Sequence, residues 1–257
     1  MSIAWEGKTM HNFLTIARYE WKMQIKNIGF WVILVFVLIT GGLDSFPTAA
    51  NMVRLDNQLQ NSGYVVSRLL TYVVLMMFGF VFMTANRIQR DRKLGISELY
   101  MASSLAKGQY VAGKFTANLC VVLTIVGVFF MLNALVHLVF NPAPFDVVPY
   151  FIRFVTVAIP MAVFTTGCAV SLPVLVDIRF VYTLMSGYFL LNVAVVPDAR
   201  RLPFYLLAGE PLKLVNPYLG FGYKSVTLMI CNWLFLIGMG LLALLLLLCD
   251  RRHWREC

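Results

Sequence analysis

Residues 86–114 read NRIQRDRKLGISELYMASSLAKGQYVAGK and form the longest polar segment between two strongly apolar runs. The segment carries six basic and two acidic residues: Arg87, Arg90, Arg92, Lys93, Lys107, Lys114, Asp91 and Glu98. Charged side chains are costly inside a bilayer, so this segment belongs at a membrane surface. We therefore interpret the rest of the chain as a membrane-embedded support for a polar segment that a soluble partner can reach.

The composition is that of a membrane protein rather than of a soluble domain. Of the 257 residues, 60% are hydrophobic and 13% are charged, and the mean hydropathy is +0.78. Ordinary soluble domains carry about 25% charged residues. The five cysteines show no CxxC spacing, which argues against a zinc site or a disulfide framework. The first 29 residues lack the short apolar core and the cleavage site of a signal peptide.

The predicted fold class is an all-α polytopic membrane protein with six transmembrane helices. Apolar runs of a length near the ~20 residues that cross a bilayer lie at residues 30–46, 64–85, 111–140, 148–176, 180–196 and 225–249. Pro160 and Pro173 each remove a backbone donor, which predicts local kinks in the fourth span. Residues 30–249 thus form one transmembrane domain, preceded by residues 1–29 and followed by a charged tail at residues 250–257.

Two segments outside the spans have patterns of their own. From about residue 11 to residue 29, apolar side chains recur at three- and four-residue steps: Leu14, Ala17, Trp21, Ile25 and Ile28. This period predicts an amphipathic helix lying in the membrane interface, with packing on a soluble partner or on the bundle as the alternative. Residues 1–10 are expected to be untethered. Residues 197–224 mix short apolar pieces with Pro and Gly, which predicts two short helices or a re-entrant extracytoplasmic segment before the last helix.

The distribution of basic residues predicts the topology. Of the 21 Lys and Arg residues, 14 lie on the side of the termini and of residues 86–114, and seven lie on the opposite side or at its span ends. The positive-inside rule places the richer side in the cytoplasm. We therefore expect a multi-pass protein of a bacterial cytoplasmic (inner) membrane with both termini cytoplasmic. Arg68, near the outer end of the second span, is expected to snorkel to the surface.

This partition of charge also bears on the partners of the chain. It accounts for most of the formal charge of +9 without a nucleic-acid partner, which would need one continuous basic face. Membrane lipid is the partner that the composition itself indicates.

Residues 108–115, GQYVAGKF, nearly match a phosphate-binding loop, but the match fails at a functional position. Phe115 stands where the motif needs a hydroxyl for magnesium, and no strand precedes the loop. We instead expect Gly113 to allow close packing at a helix entry, and Lys114 to lie at the lipid headgroups. The chain is therefore predicted to hold no nucleotide, metal or other cofactor itself.

No pattern of catalytic residues is present, so the chain is predicted not to be an enzyme. His137, in the third span, is expected to have a hydrogen-bonded packing role, with a proton relay as the alternative. None of the twelve acidic residues falls at mid-membrane, which argues against an ion-coupled carrier. The energy for transport is therefore expected to come from another protein.

The 91–114 segment resembles the cytoplasmic loop of the ABC type-two permeases, the membrane subunits of ATP-driven exporters. Their pattern reads roughly E-R-E-x-G-T-L-E-x-L-L-x-x-P-x-x-R, then five residues and G-K. The matching positions, without a gap, are Asp91, Arg92, Gly95, Glu98, Lys107, Gly113 and Lys114. The departures are Lys93 for the second acid, Ile96 for Thr and Ser104 for Pro.

The resemblance implies a permease subunit that forms the translocation pathway of an ABC exporter. It implies a pair of permeases, identical or homologous, working with two copies of an ABC ATPase subunit that hold ATP and Mg. In the loop at residues 86–110, a coupling helix would meet the ATPase, and a push on it would tilt the adjoining spans. The residues expected to take part are Arg92, Gly95, Glu98, Leu99, Tyr100, Met101 and Leu105.

Two further hypotheses concern single residues. Glu98 is predicted to pair with Arg18 or Lys22, which would tie the loop and the amphipathic helix into one lever; a solvated surface charge is the alternative. Polar and aromatic residues of the second and fifth spans are pathway candidates, because resembling permeases face one another there across a dimer axis. These candidates are Phe78, Phe82, Tyr188 and Asn192, with ordinary helix packing as the alternative.

Two other functions stay open at the level of sequence. One is an ion-coupled secondary carrier, which would need an acidic residue near the middle of the membrane. The other is a membrane scaffold or assembly factor that does not transport, since such a protein could keep the same loop. Co-purification of a separate ATPase distinguishes an ABC permease from a secondary carrier, and transport by reconstituted vesicles distinguishes it from a scaffold.

Overall fold

The computed structural model describes residues 2–85, 87–95, 107–141, 145–194, 202–208, 212–216, 220–223 and 226–249. The helices are α1 (Ser2–Ile25), α2 (Ile28–Ser45), α3 (Ala49–Arg54), α4 (Ser62–Thr84), α5 (Arg87–Lys93), α6 (Lys107–Phe140), α7 (Val148–Arg153), α8 (Ile159–Leu175), α9 (Ile178–Ala194) and α10 (Val226–Cys249). A 3₁₀ turn spans Gln58–Gln60, and a π-helical turn at Phe154–Ala158 joins α7 to α8.

Five helical segments are long and apolar enough to cross a membrane: α2, α4, α6, α7 with α8, and α10. The protein is therefore a multi-pass, membrane-embedded helical bundle. The fifth predicted span corresponds to α9, which is apolar but has only 17 residues. At a rise of 1.5 Å per residue it is about 26 Å long, slightly less than the ~30 Å hydrocarbon core. The sixth crossing stays a prediction.

The core of the bundle is built around α4. One face of this helix is fully buried and consists of aliphatic and Met side chains, including Leu69, Val73, Met76 and Met77. It packs against α2, α7, α8 and α9. The outward faces of the other spans carry exposed apolar residues, as expected where lipid replaces water around a protein.

Helices α8 and α10 approach one another closely through a pair of glycines. A Cβ atom on Gly240 would lie 2.7 Å from the carbonyl oxygen of Val163, and one on Gly167 would collide with the carbonyl oxygen of Gly240. Only glycine permits this backbone contact, which is a recurring means of packing helices in membranes.

The α-helix is interrupted just before Pro160, as predicted from the missing backbone donor, and the interruption has a local compensation. Pro160 has no N–H to donate to the carbonyl of Thr156, and the chain adopts the π-helical turn just before it. The indole Nε1 of Trp233, on α10, donates a hydrogen bond of 2.6 Å to the Thr156 oxygen. The carbonyl group that Pro160 leaves without a backbone donor is thus hydrogen-bonded by a side chain of the last span.

Outside the spans, helix α1 begins at Ser2, so residues 2–10 are helical; that they are untethered stays a prediction. The prediction of short helices is wrong for residues 212–216 and 220–223, which form the antiparallel strands β1 (Leu212–Asn216) and β2 (Gly220–Tyr223). Segments this short leave most backbone groups unsatisfied as helices, whereas pairing as strands satisfies them. The tail at residues 250–257 lies outside the described residues.

Candidate functional site

The first turns of α6 pack along α1, with contacts that advance in the same direction on both helices. A Cβ atom on Gly113 would lie 2.9 Å from Cγ2 of Ile16, which confirms the predicted role of this glycine in close packing. Further along, Gln24 of α1 donates a hydrogen bond to the side-chain oxygen of Asn118. Helix α1 therefore packs on the bundle. Packing on the bundle was the alternative to the prediction of a helix that lies in the membrane interface.

Four buried charges join α1, α5 and α6 in what we call the ion network: Glu20, Arg87, Asp91 and Lys114. The ammonium Nζ of Lys114 lies 3.2 Å from Oε2 of Glu20 and 2.5 Å from Oδ2 of Asp91. Nη1 of Arg87 lies 3.1 Å from Oε1 of Glu20. With two acids and two bases, the formal charge of the network is balanced.

Lys114 does not lie at the lipid headgroups as predicted, because the two carboxylates hold it inside. Its side chain is only 3% exposed. The hydroxyl of Tyr110 donates a 2.9 Å hydrogen bond to Oδ2 of Asp91, and the Tyr110 ring lies 5.3 Å from the Lys114 ammonium. Nδ2 of Asn118 donates to the carbonyl of Lys114 at 2.6 Å. Each buried charge therefore has a partner of opposite sign, and neighbouring polar groups complete the site.

The ion network holds both ends of the polar segment. Asp91 precedes residues 96–106 and Lys114 follows them, so the 2.5 Å contact between these two residues closes the base of that segment. Nζ of Lys107 donates a 2.8 Å hydrogen bond to the carbonyl of Leu248 near the end of α10. A cation at a helix C-terminus satisfies a terminal carbonyl and complements the helix dipole. The described residues on either side of positions 96–106 are thus fixed to α1 and to α10.

Gly95 lies just after α5 and has a φ of +66°, in the left-handed region that favours glycine. The chain therefore turns at Gly95, and the role of this residue at the start of a coupling helix stays a prediction, because residues 96–106 lie outside the described residues. Arg92 belongs to α5. The other predicted contacts with an ATPase lie outside the described residues: Glu98, Leu99, Tyr100, Met101 and Leu105.

The predicted pairing of Glu98 with Arg18 or Lys22 stays a prediction, because Glu98 is outside the described residues. Arg18 and Lys22 are exposed on α1. In the described part of the chain, Glu20 makes the connection between α1 and the polar segment. The helical periodicity of the apolar residues did not identify Glu20, but Ile16, Glu20 and Gln24 follow at four-residue steps and share one buried face.

The pathway candidates fall into two groups. Phe78 and Phe82 of α4 form an aromatic cluster with α9, in which Phe82 stacks on Tyr182 with a ring separation of 4.7 Å. The second and fifth predicted spans are therefore in contact within one chain. Tyr188 is linked to this cluster through Phe189, whose ring lies 6.1 Å from that of Tyr188 and 5.7 Å from that of Phe78. The polar groups of Tyr188 and Asn192 hold residues 202–208.

The segment at residues 202–208 is held by side chains of α9 and α10. The Tyr188 hydroxyl donates to the Phe204 carbonyl at 2.5 Å, and Oδ1 of Asn192 accepts from the Leu206 backbone N–H at 2.7 Å. Nδ2 of Asn232 donates to two carbonyls of the same segment, at 2.6 and 2.8 Å. Leu206 is fully buried. Irregular backbone at membrane depth needs protein groups to satisfy its hydrogen bonds and to shield it from lipid, and these side chains meet that need.

Two other residues have roles that differ in detail from those expected. Arg68 does not snorkel alone: Nη2 lies 2.8 Å from Oδ1 of Asp44, which also accepts a 3.0 Å hydrogen bond from Arg54. This cluster joins the end of α2 to the start of α4.

His137 is fully buried, and its ring stacks on Phe145 with centroids 4.8 Å apart. The predicted packing role fits these surroundings, but neither ring nitrogen makes the predicted hydrogen bond to a described residue.

The chain matches no protein-family model and no curated protein at a significant level. The resemblance to ABC type-two permeases therefore depends on the loop pattern of residues 91–114. Among the side chains of the described ranges, no group of three His, Cys, Asp or Glu residues could hold a metal ion.

Proposed function

We propose that this chain is the permease subunit of an ABC exporter, in which a separate ATP-binding subunit acts on the polar segment. The observation that carries the proposal is the ion network at the base of residues 96–106. Asp91 and Lys114, which occupy the first and last positions of the permease loop pattern, are in contact at 2.5 Å. The two ends of the pattern are thus adjacent in space and attached to α1.

This arrangement suits a segment that transmits force. Buried ion pairs add little net stability compared with apolar residues of similar volume, but their geometry is specific. Because α5 begins three residues after α4 ends, and α6 begins directly after the segment, a displacement of residues 96–106 would act on both spans. The Lys107 contact would extend the displacement to α10. Rigid-body motion of helices is a common route to alternating access.

The proposed assembly contains two permeases, identical or homologous, and two ATPase subunits that hold ATP and Mg. It lies in a bacterial cytoplasmic membrane, and both termini and the polar segment face the cytoplasm. The chain itself performs no ATP hydrolysis. The exported substrate class is outside the proposal.

Co-purification tests the proposal. The tagged chain is extracted from its host in a mild detergent, and associated proteins are identified by mass spectrometry. We expect an ABC ATPase whose hydrolysis rate depends on this chain. Replacing Leu99 and Tyr100 together by Glu should remove the ATPase, whereas Val53→Glu, at an exposed position of α3, should retain it.

Two results would contradict the proposal. One is the absence of any ATPase from a preparation that remains monodisperse. The other is an ATPase whose binding and turnover are unchanged by the Leu99 and Tyr100 substitutions. An ATPase that binds and turns over, without transport of any solute by reconstituted vesicles, would instead favour the scaffold function.

A further inference from the structure

An apolar groove of about 300 Å³ runs between α6 and α7 in the half of α6 that ends at Phe140. Its floor contains the small residues Gly127 and Ala134 together with the buried rings of Phe130 and Tyr150. Met131, Leu135, Leu138, Val147 and Phe151 form exposed apolar edges. All the residues that line the groove are apolar or aromatic.

The length of the groove matches one leaflet of a bilayer. Its α6 wall extends from Gly127 to Leu138, which corresponds to about 17 Å of helix at 1.5 Å per residue. One leaflet contributes about 15 Å, half of the ~30 Å hydrocarbon core. The groove therefore extends from near the middle of the membrane toward the surface at Phe140.

The groove is open along one side, because its edge residues Met131, Leu135 and Phe151 are exposed. A lipid chain in the bilayer can therefore enter it from the side without crossing a polar surface.

We propose that this groove binds one acyl chain of a bilayer phospholipid, aligned with α6 in the leaflet at the Phe140 end. The apolar lining, the open side toward the lipid and the leaflet length each favour this occupant. Gly127 and Ala134 provide the depth, because larger side chains at these positions would fill the floor. The proposal does not depend on the function proposed above.

Photo-crosslinking tests the site. The protein is reconstituted in phosphatidylcholine vesicles that contain a small fraction of phosphatidylcholine with a diazirine on one acyl chain. After irradiation, adducts are mapped by mass spectrometry. We expect several-fold more adducts on peptides from residues 127–138 and 147–154 than on the lipid-facing side of α2. Ala134→Phe should remove this excess, and Leu132→Phe, on exposed α6 surface outside the groove, should retain it.

The controls separate the proposal from its alternatives. Gly127→Leu is a second filling variant, for which space exists because a Cβ there would meet only Phe154 at 3.8 Å. Both filling variants must keep the thermal midpoint and monodispersity of the native protein. Adducts spread evenly over all lipid-facing helices, or an excess that both filling variants retain, would overturn the proposal. Protein-to-protein adducts within the groove would assign it to a second copy and would also overturn it.

Discussion

At the scale of single residues, the ion network is the feature that distinguishes this bundle. Glu20, Arg87 and Lys114 are each at most 8% exposed at the side chain. A buried charge that loses its partner costs several kcal/mol, whereas a balanced pair costs much less. Each of these residues therefore needs its charged partner in place, although the partners are far apart in sequence.

Glu20→Gln should destabilise the protein by about 3–5 kcal/mol, because it leaves Arg87 buried without a carboxylate partner. Lys114 keeps its contact with Asp91 in this variant. The double variant Glu20→Gln and Arg87→Gln should recover part of the loss, since the remaining pair is balanced. The measurement is the thermal unfolding midpoint in detergent.

The matched control for this prediction is Lys22→Gln, at an exposed position of the same helix. It should change stability by less than about 1 kcal/mol, as is usual for surface charges. Equal midpoints for Glu20→Gln and Lys22→Gln would show that the network does not contribute to the fold as described.

The sequence could not identify this network, for a physical reason. Its four members are separated by up to 94 positions between Glu20 and Lys114, and each belongs to a segment with other charges. Charge alone does not tell a buried residue from a solvated one. The role of Gly113 is predictable, because a glycine at a helix entry commonly lets another backbone or side chain approach closely. The burial of Lys114 next to it is not, because a lysine at a span end usually extends to the headgroups.

At the scale of elements, the long helices follow directly from the apolar runs, and the connections do not. A run of about 20 apolar residues is stable in a bilayer as a helix, because a helix satisfies the hydrogen bonds of its backbone groups within the run. The turns at residues 202–208 depend on contacts with side chains of α9 and α10. Such contacts leave no local period in the sequence.

The α8–α10 contact gives a prediction at this scale. Gly240→Ala should lower stability by about 1–3 kcal/mol or more, because its Cβ would press on the backbone of α8. Gly238→Ala, two residues away on the same helix, should be neutral or slightly stabilising, since no atom lies within 4 Å of the new Cβ. Alanine is also the better helix former by about 1 kcal/mol.

The thermal midpoints of the two glycine variants decide this prediction. A midpoint of Gly240→Ala at or above that of Gly238→Ala would mean that the two helices are not in backbone contact. Retention of folded protein should be checked in each case by elution as a single species in size-exclusion chromatography.

At the scale of the whole molecule, the polar segment, α1 and the cytoplasmic ends of α6 and α10 form one connected unit in the proposed assembly. The Asp44 cluster and the side chains that hold residues 202–208 fix other parts of the bundle. The central claim is that a separate ATPase acts at residues 96–106.

Site-specific crosslinking measures that contact most directly. A photo-reactive amino acid is placed at Tyr100, and as a control at Val53, which is exposed on α3. After irradiation of host cells, the account predicts an adduct between position 100 and an ABC ATPase, and none from position 53. An absence of ATPase adducts from positions 99, 100 and 101, in cells that contain the folded protein, would contradict the account.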